Sequence, residues 1–195
     1  MGNKYTPSEF VQNVYSLILT KLFYPKCRLI RRPIYMRGKA SFSGGVGLTL
    51  GRGCRFDLNG EKPTLFVGDN CQFGDYTHIV AHERVEIGNN CLLASKIFIS
   101  DTSHGTYDNS ENAESPSIPP NDRRLVVKPV KIGNNVWVGE NVVILSGVEI
   151  GDGCIIGANS VVTHNIEKNS IVAGVPARLL KSWDENEKKW IKVEK

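Results

Sequence analysis

The chain has 195 residues, 41% of them apolar and 23% charged, which is the balance of a globular protein of one domain with at most a terminal appendage. Its net charge of +4 is too mild to argue for a nucleic-acid partner, and no DNA- or RNA-reading motif accompanies it. No apolar run is long enough to span a bilayer, and no signal peptide is visible, so a cytoplasmic protein is expected.

The first predicted element is a helix. Thr6-Pro7-Ser8-Glu9 offers an N-cap threonine, proline at the first helical position and a glutamate that can reach back to the cap. Glu9, Gln12, Asn13, Ser16 and Thr20 form one polar stripe at helical spacing, the remainder is largely apolar, and Pro25 ends the element. A basic run without acids follows: Lys21, Lys26, Arg28, Arg31, Arg32, Arg37 and Lys39. Residues 1–40 therefore read as an amphipathic helix with a basic segment. It either caps the open end of a repeat core or packs on a neighbouring subunit, or it lies peripherally on an anionic membrane surface, at the inner membrane in a bacterial cell. These roles are compatible.

Residues 41–181 carry a period of six. It is loose at first, through Leu50, Phe56, Val67, Phe73, Ile79, Ile87, Leu93 and Ile99, and then unbroken at Ile132, Val138, Ile144, Ile150, Ile156 and Val162. Glycine commonly follows the apolar residue, and a small or β-branched residue sits four after it. A fixed hexapeptide period predicts a parallel β-helix, each repeat stacking on the next. Cys54, Cys71, Cys91 and Cys154 fall on the small inward position, so they read as packing thiols rather than disulfides or metal ligands. The count stops after His104 for a polar, proline-rich excursion from Gly105 to Lys128, and a loop of that length inside a compact domain is usually functional. The tail, residues 182–195, opens with a capping-box pattern at Ser182-Trp183-Asp184-Glu185, which predicts a short helix with Trp183 and Trp190 on one side.

Three features combine: the hexads, the segment Ile99-Ser100-Asp101-Thr102-Ser103-His104-Gly105 before the excursion, and the run from Lys128 to Gly139 that includes Asn134-Asn135-Val136-Trp137-Val138-Gly139. With the closing Ile171-Val172-Ala173-Gly174-Val175-Pro176-Ala177-Arg178, they make the chain resemble the hexapeptide-repeat O-acetyltransferases over roughly residues 45–180. That group includes the galactoside, maltose and nodulation acetyltransferases and sugar O-acetyltransferases of surface-polysaccharide pathways. The resemblance implies an all-β, left-handed β-helix with three hexads per coil. It further implies a homotrimer, and acetyl-coenzyme A bound as co-substrate between subunits.

His104 falls at the family's catalytic histidine. The chemistry agrees, because a neutral imidazole can accept the proton of a sugar hydroxyl as it attacks a thioester. Its other ring nitrogen needs an acceptor to fix the tautomer, and Asp101 or a backbone carbonyl could supply one. By the same resemblance Trp137, Gly139, Ala158, Thr163, His164 and Arg178 line the coenzyme. His82 and Asp101 lie toward the acceptor, and Arg123-Arg124 could hold an acidic sugar or a diphosphate. Three departures from the family matter. Glu140 stands where some members have an oxyanion-stabilising serine, so a backbone N–H near Gly139 and Glu140 is the candidate donor. His164 replaces a common lysine. Gly74 and His82 replace an acceptor-binding asparagine and aspartate.

The expected activity is acetyl transfer to a sugar hydroxyl in O-antigen, capsule or exopolysaccharide synthesis, with a sugar or lipid-linked oligosaccharide as acceptor. N-acetylation of an amino sugar is the alternative, and streptogramin or chloramphenicol acetylation a more distant one. A γ-type carbonic anhydrase would need three zinc-binding histidines. His78, His82, His104 and His164 lack that family's spacing, so no metal is expected. A purely structural β-helix would not need a histidine, a loop and a tryptophan in this arrangement.

Overall fold

The computed structural model describes residues 5–107 and 111–193. Within them the chain winds into the left-handed parallel β-helix expected of hexapeptide repeats, with about seven turns and three parallel sheets as its faces. Face 1 stacks Leu29–Ile30, Thr49–Leu50, Gln72–Phe73, Leu92–Leu93, Trp137–Val138, Ile155–Ile156 and Ser170–Ala173. Face 2 stacks Tyr35–Arg37, Arg55–Leu58, His78–Ala81, Phe98–Ser100, Val143–Ile144 and Val161–Val162. Face 3 stacks Phe42–Gly44, Leu65–Val67, Val85–Ile87, Val130–Ile132 and Glu149–Ile150.

Each position in the hexad has a physical task. The apolar residue points inward, and Ile132, Val138, Ile144, Ile150, Ile156 and Val162 are each at most 2% exposed. A side chain so buried contributes about 1.5–3 kcal/mol, and repetition makes one continuous core. The glycine after it sits where two coils nearly touch: a Cβ on Gly133 would stand 2.3 Å from Asp152 Oδ1 and 2.7 Å from that residue's backbone nitrogen. Two residues on, the corner needs a left-handed backbone, and asparagine supplies it, as at Asn135 with φ 56°.

Side chains also link coils along one edge. Asp69 Oδ1 accepts from Val46 N, Asn89 Oδ1 from Asp69 N, Asn134 Oδ1 from Asn89 N and Asp152 Oδ1 from Asn134 N, at 2.6–2.9 Å. All five cysteines are buried and free. Cys91 Sγ donates to Gly133 O at 3.1 Å, and burial pushes the Cys54 thiol up to about 11.

Helix α1 spans Pro7–Phe23 with both halves of the predicted capping box made, Thr6 N to Glu9 Oε2 at 2.8 Å and Glu9 N to Thr6 Oγ1 at 3.3 Å. It covers the first coil through its polar stripe. Ser16 and Thr20 are buried, and Thr20 Oγ1 accepts from Ile30 N at 2.9 Å while Ser16 Oγ accepts from Arg32 N at 3.1 Å. The β-helix begins at Leu29, earlier than the expected boundary at residue 41. Ile30 and Met36 already keep the hexad register, pairing with Leu50 and Phe56, and the basic residues between them had hidden it.

The tail departs from expectation. In place of a short helix, Arg178–Asp184 and Lys189–Lys192 form an antiparallel hairpin on the last strand of face 1. Trp183 and Trp190 do share one side, as a cross-strand pair with ring centroids 5.5 Å apart. Ser182 and Glu185, expected to cap that helix, form no cap; the Asp184 carboxylate between them accepts from Asn186 N and Glu187 N, closing the turn between the strands.

Candidate active site

The excursion leaves the coil at the edge between faces 2 and 3. Its two ends pair as an antiparallel ladder, Thr102–His104 against Leu125–Val127. Asp101 anchors the base of this ladder. Its carboxylate is fully buried and accepts from the backbone nitrogens of His82, Glu83 and Arg84 at 2.8–3.0 Å, and from Thr102 Oγ1 at 2.8 Å. Asp101 therefore positions the hairpin against the coil below. This corrects its expected place among substrate ligands and as the acceptor that orients His104, since its oxygens are already engaged away from solvent.

His104 ends the outgoing strand and is exposed. Its Nδ1 lies 3.2 Å from the carbonyl oxygen of Pro120, in the returning half of the excursion. A carbonyl can only accept, so Nδ1 carries a proton, and in the neutral ring Nε2 keeps a free lone pair. That is the tautomer of a base.

The loop holds itself around this contact. The hydroxyl of Tyr107 donates to the His104 carbonyl, and Arg123 donates to Tyr107 Oη at 2.8 Å and to Ile118 O at 2.9 Å. Arg123 thereby braces the hairpin through two of its donors. Arg124 is exposed, and its backbone nitrogen donates to Glu114 at 3.4 Å. Residues 108–110 of the excursion lie outside the described residues.

The other predicted residues divide between two edges. His82 lies one coil below the hairpin base at the same edge, and Thr163 and His164 lie two coils above it, roughly 10 Å at the usual strand spacing. Thr163 Oγ1 and His164 Nδ1 are hydrogen-bonded at 3.0 Å. Trp137 is half exposed on face 1 between Leu92 and Ile155. Gly139, Ala158 and Arg178 follow at the edge between faces 1 and 2. There Gly139 is so close to the next coil that a Cβ would stand 2.6 Å from Ala158 N, and Arg178 pairs with Ala173.

The Gly139 N–H is spent on Ile156 O at 2.8 Å, which leaves the Glu140 amide as the remaining oxyanion candidate. The Glu140 side chain turns to Lys96, 3.7 Å away across the coil step. Face 2 lies between this edge and the edge that carries His104.

One cluster escaped the sequence reading. On face 2, Asp57 Oδ2 lies 3.0 Å from His78 Nε2 and 2.7 Å from Arg55, with Arg37 on its other oxygen at 3.2 Å. Burial raises the Asp57 carboxyl, but hydrogen bonds from His78 and Arg55 and the nearby arginine charges outweigh it and hold the group below the usual range. The coil register (Arg55 pairs with His78) was the only available signal. Grooves of about 530 and 380 Å³ run along face 3, lined in part by Glu86, Lys131, Asn134 and Glu149, and neither includes His104. Among the described residues of one chain, no three His, Cys, Asp or Glu side chains converge as metal ligands.

Residues 129–164 match the family model for bacterial transferase hexapeptide, six repeats. The chain is 43% identical over 193 residues, 99% of its length, to 98% of the putative lipopolysaccharide biosynthesis O-acetyl transferase WbbJ of Escherichia coli strain K12. Among solved structures, galactoside acetyltransferase in complex with coenzyme A superposes with a TM-score of 0.57 at 26% identity, covering 99% of this chain and 82% of that one. AntD, an N-acyltransferase from Bacillus cereus, shares the fold with a TM-score of 0.70 at 21% identity, over 96% and 93% of the two chains.

Proposed function

The chain belongs to the hexapeptide-repeat acetyltransferases, and from that premise we propose that it moves an acetyl group from acetyl-coenzyme A to a sugar hydroxyl in surface-polysaccharide synthesis. The observation that carries the proposal is the contact between His104 Nδ1 and the Pro120 carbonyl, which leaves Nε2 as the acceptor. Nε2 takes the proton of the acceptor hydroxyl while its oxygen bonds to the thioester carbonyl carbon. The tetrahedral intermediate then expels the coenzyme thiolate, and the imidazolium returns the proton to that sulfur. Nothing is oxidised, and no acetyl-enzyme forms.

The distribution of the remaining residues supports a homotrimer. His104 stands at one edge of face 2, and Gly139, Ala158 and Arg178 at the other, so a single chain does not set them side by side. The hairpin edge of one copy set against the opposite edge of the next would join base and coenzyme. Arg178 then suits the coenzyme phosphates, Trp137, Thr163 and His164 its walls, and His82 and Arg124 the acceptor.

The test is direct. Purified protein with acetyl-coenzyme A and a panel of oligosaccharides should yield an acetylated product by mass spectrometry, with thioester cleavage lost in His104→Ala. Products acetylated only on amino sugars would replace the O-transfer assignment with N-transfer. A covalent acetyl-enzyme that turns over into product would overturn the direct mechanism.

A further inference from the structure

The capping helix is mounted against the rule that governs the rest of the molecule. Its buried residues are Ser16 and Thr20, and its apolar side faces solvent: Phe10, Val11, Tyr15, Ile18 and Leu22 are each 55–69% exposed. Val14 and Leu17 continue this side, and with Tyr5 and Leu29 they line an apolar groove of about 250 Å³. Isolated exposed apolar residues are ordinary, whereas a whole helix face is an interaction site.

Charge says what it meets. Between residues 10 and 56 the chain has nine lysines and arginines and no acid. With 24 basic and 20 acidic residues in all, the remainder carries five more acids than bases. The positive charge is thus concentrated in the pole that presents the apolar helix, with Lys26, Arg28 and Lys39 exposed beside it. A second copy meeting this pole head-on would bring two such basic belts together, whereas an anionic bilayer surface complements both the charge and the apolar face. No helix among the described residues is long and apolar enough to cross a membrane, which fits a helix lying in the interface plane.

We propose that the N-terminal pole docks the protein on an anionic lipid bilayer, with the Phe10–Leu22 face in the headgroup region and Lys26 and Arg28 on the lipid phosphates. This goes beyond the acyl-transfer assignment and does not depend on it.

The experiment is co-sedimentation of the full chain with phosphatidylcholine vesicles, with and without phosphatidylglycerol, in the absence of acceptor and acetyl-coenzyme A. Binding is expected only with the anionic lipid and should weaken with salt. Replacing exposed residues in F10S/I18S/L22S should lower it by about a hundredfold, and K26Q/R28Q by roughly thirtyfold. Both variants should keep the wild-type particle mass by light scattering and wild-type transfer to a water-soluble acceptor.

Failure of the wild type to bind anionic vesicles overturns the proposal, as does wild-type binding by either variant. A fall in particle mass in the apolar variant, with no vesicle binding by the wild type, gives the face to a second copy. If the apolar variant fails to fold, K26Q/R28Q decides alone, because its two side chains lie on the surface. Vesicle binding without any acetyl transfer would leave the docking intact and remove only the catalytic assignment.

Discussion

The stacked coils and the hairpin from Thr102 to Val127 are made on different principles. In the coils a residue's task recurs every six positions, so Ile132, Ile144 and Ile156 are interchangeable parts of one core. In the hairpin no contact recurs. Asp101 holds the base, Pro120 meets the His104 ring, and Tyr107 and Arg123 brace the turn, each in its own way. The coils spread stability over many equivalent contacts, whereas the hairpin, on the function proposed above, concentrates chemistry in a few singular ones. Loss at one hairpin position should therefore damage activity out of proportion to stability, and loss in the coils should do the reverse.

The sharpest break in that contrast is His104→Ala. With the base gone, kcat should fall about a thousandfold, while the melting temperature stays within about 1 °C of wild type because the side chain is exposed. A large drop in melting temperature would mean that the ring is structural. Ile144→Ala is the counterpart in the coils. It should cost about 3 kcal/mol by denaturant titration, from lost burial plus a cavity, yet leave kcat per folded molecule within about twofold. Asp101→Asn sits on the border between the two regions. It keeps the shape but loses the charge that gathers three backbone N–H groups and the Thr102 hydroxyl, so stability should fall by about 2 kcal/mol. The hairpin it anchors should loosen too, lowering kcat by about tenfold. Unchanged kcat in Asp101→Asn would show that the hairpin does not need its anchor.

The same contrast explains what could be read from the sequence. Periodicity exposed the coils, their inward cysteines and the position of His104, because repetition turns spacing into geometry. It could not show where Asp101 points, since a buried carboxylate binding backbone N–H groups and a substrate ligand look alike as letters. Nor could it show that Arg123 braces the loop, because the bond to Ile118 O depends on how the loop closes. The first coil was masked by arginines at the surface beside Ile30 and Met36. In the tail, Ser182-Trp183-Asp184-Glu185 has the spacing of a capping box, yet the Asp184 within it suits a turn equally well. The strand extending face 1 decided between them, and no local pattern contains that contact. The helix offered a polar and an apolar side, and only the hydrogen bonds of Thr20 and Ser16 to the first coil show that the polar side faces inward.

The smallest expected effect tests whether the hairpin's singular contacts extend beyond the base itself. Tyr107 is 63% exposed, so its ring contributes little burial. Its hydroxyl is nonetheless shared, donating to the His104 carbonyl and accepting from Arg123, whose guanidinium carbon lies 5.8 Å from the centre of the Tyr107 ring. Tyr107→Phe removes the hydroxyl and keeps the ring, so the melting temperature should stay within about 1 °C of wild type. The His104 carbonyl loses its link through Tyr107 to Arg123, although its strand pairing with Leu125 remains, and the ring samples positions away from Pro120 more often. A fall in kcat of about threefold at unchanged KM is the expected result, small because the Pro120 contact remains. Arg123→Ala should produce the same change, and the double variant should add almost nothing, since both substitutions break one chain of contacts. Additive losses would mean that Tyr107 and Arg123 brace His104 separately, so that the hairpin too would rest on distributed contacts, as the coils do.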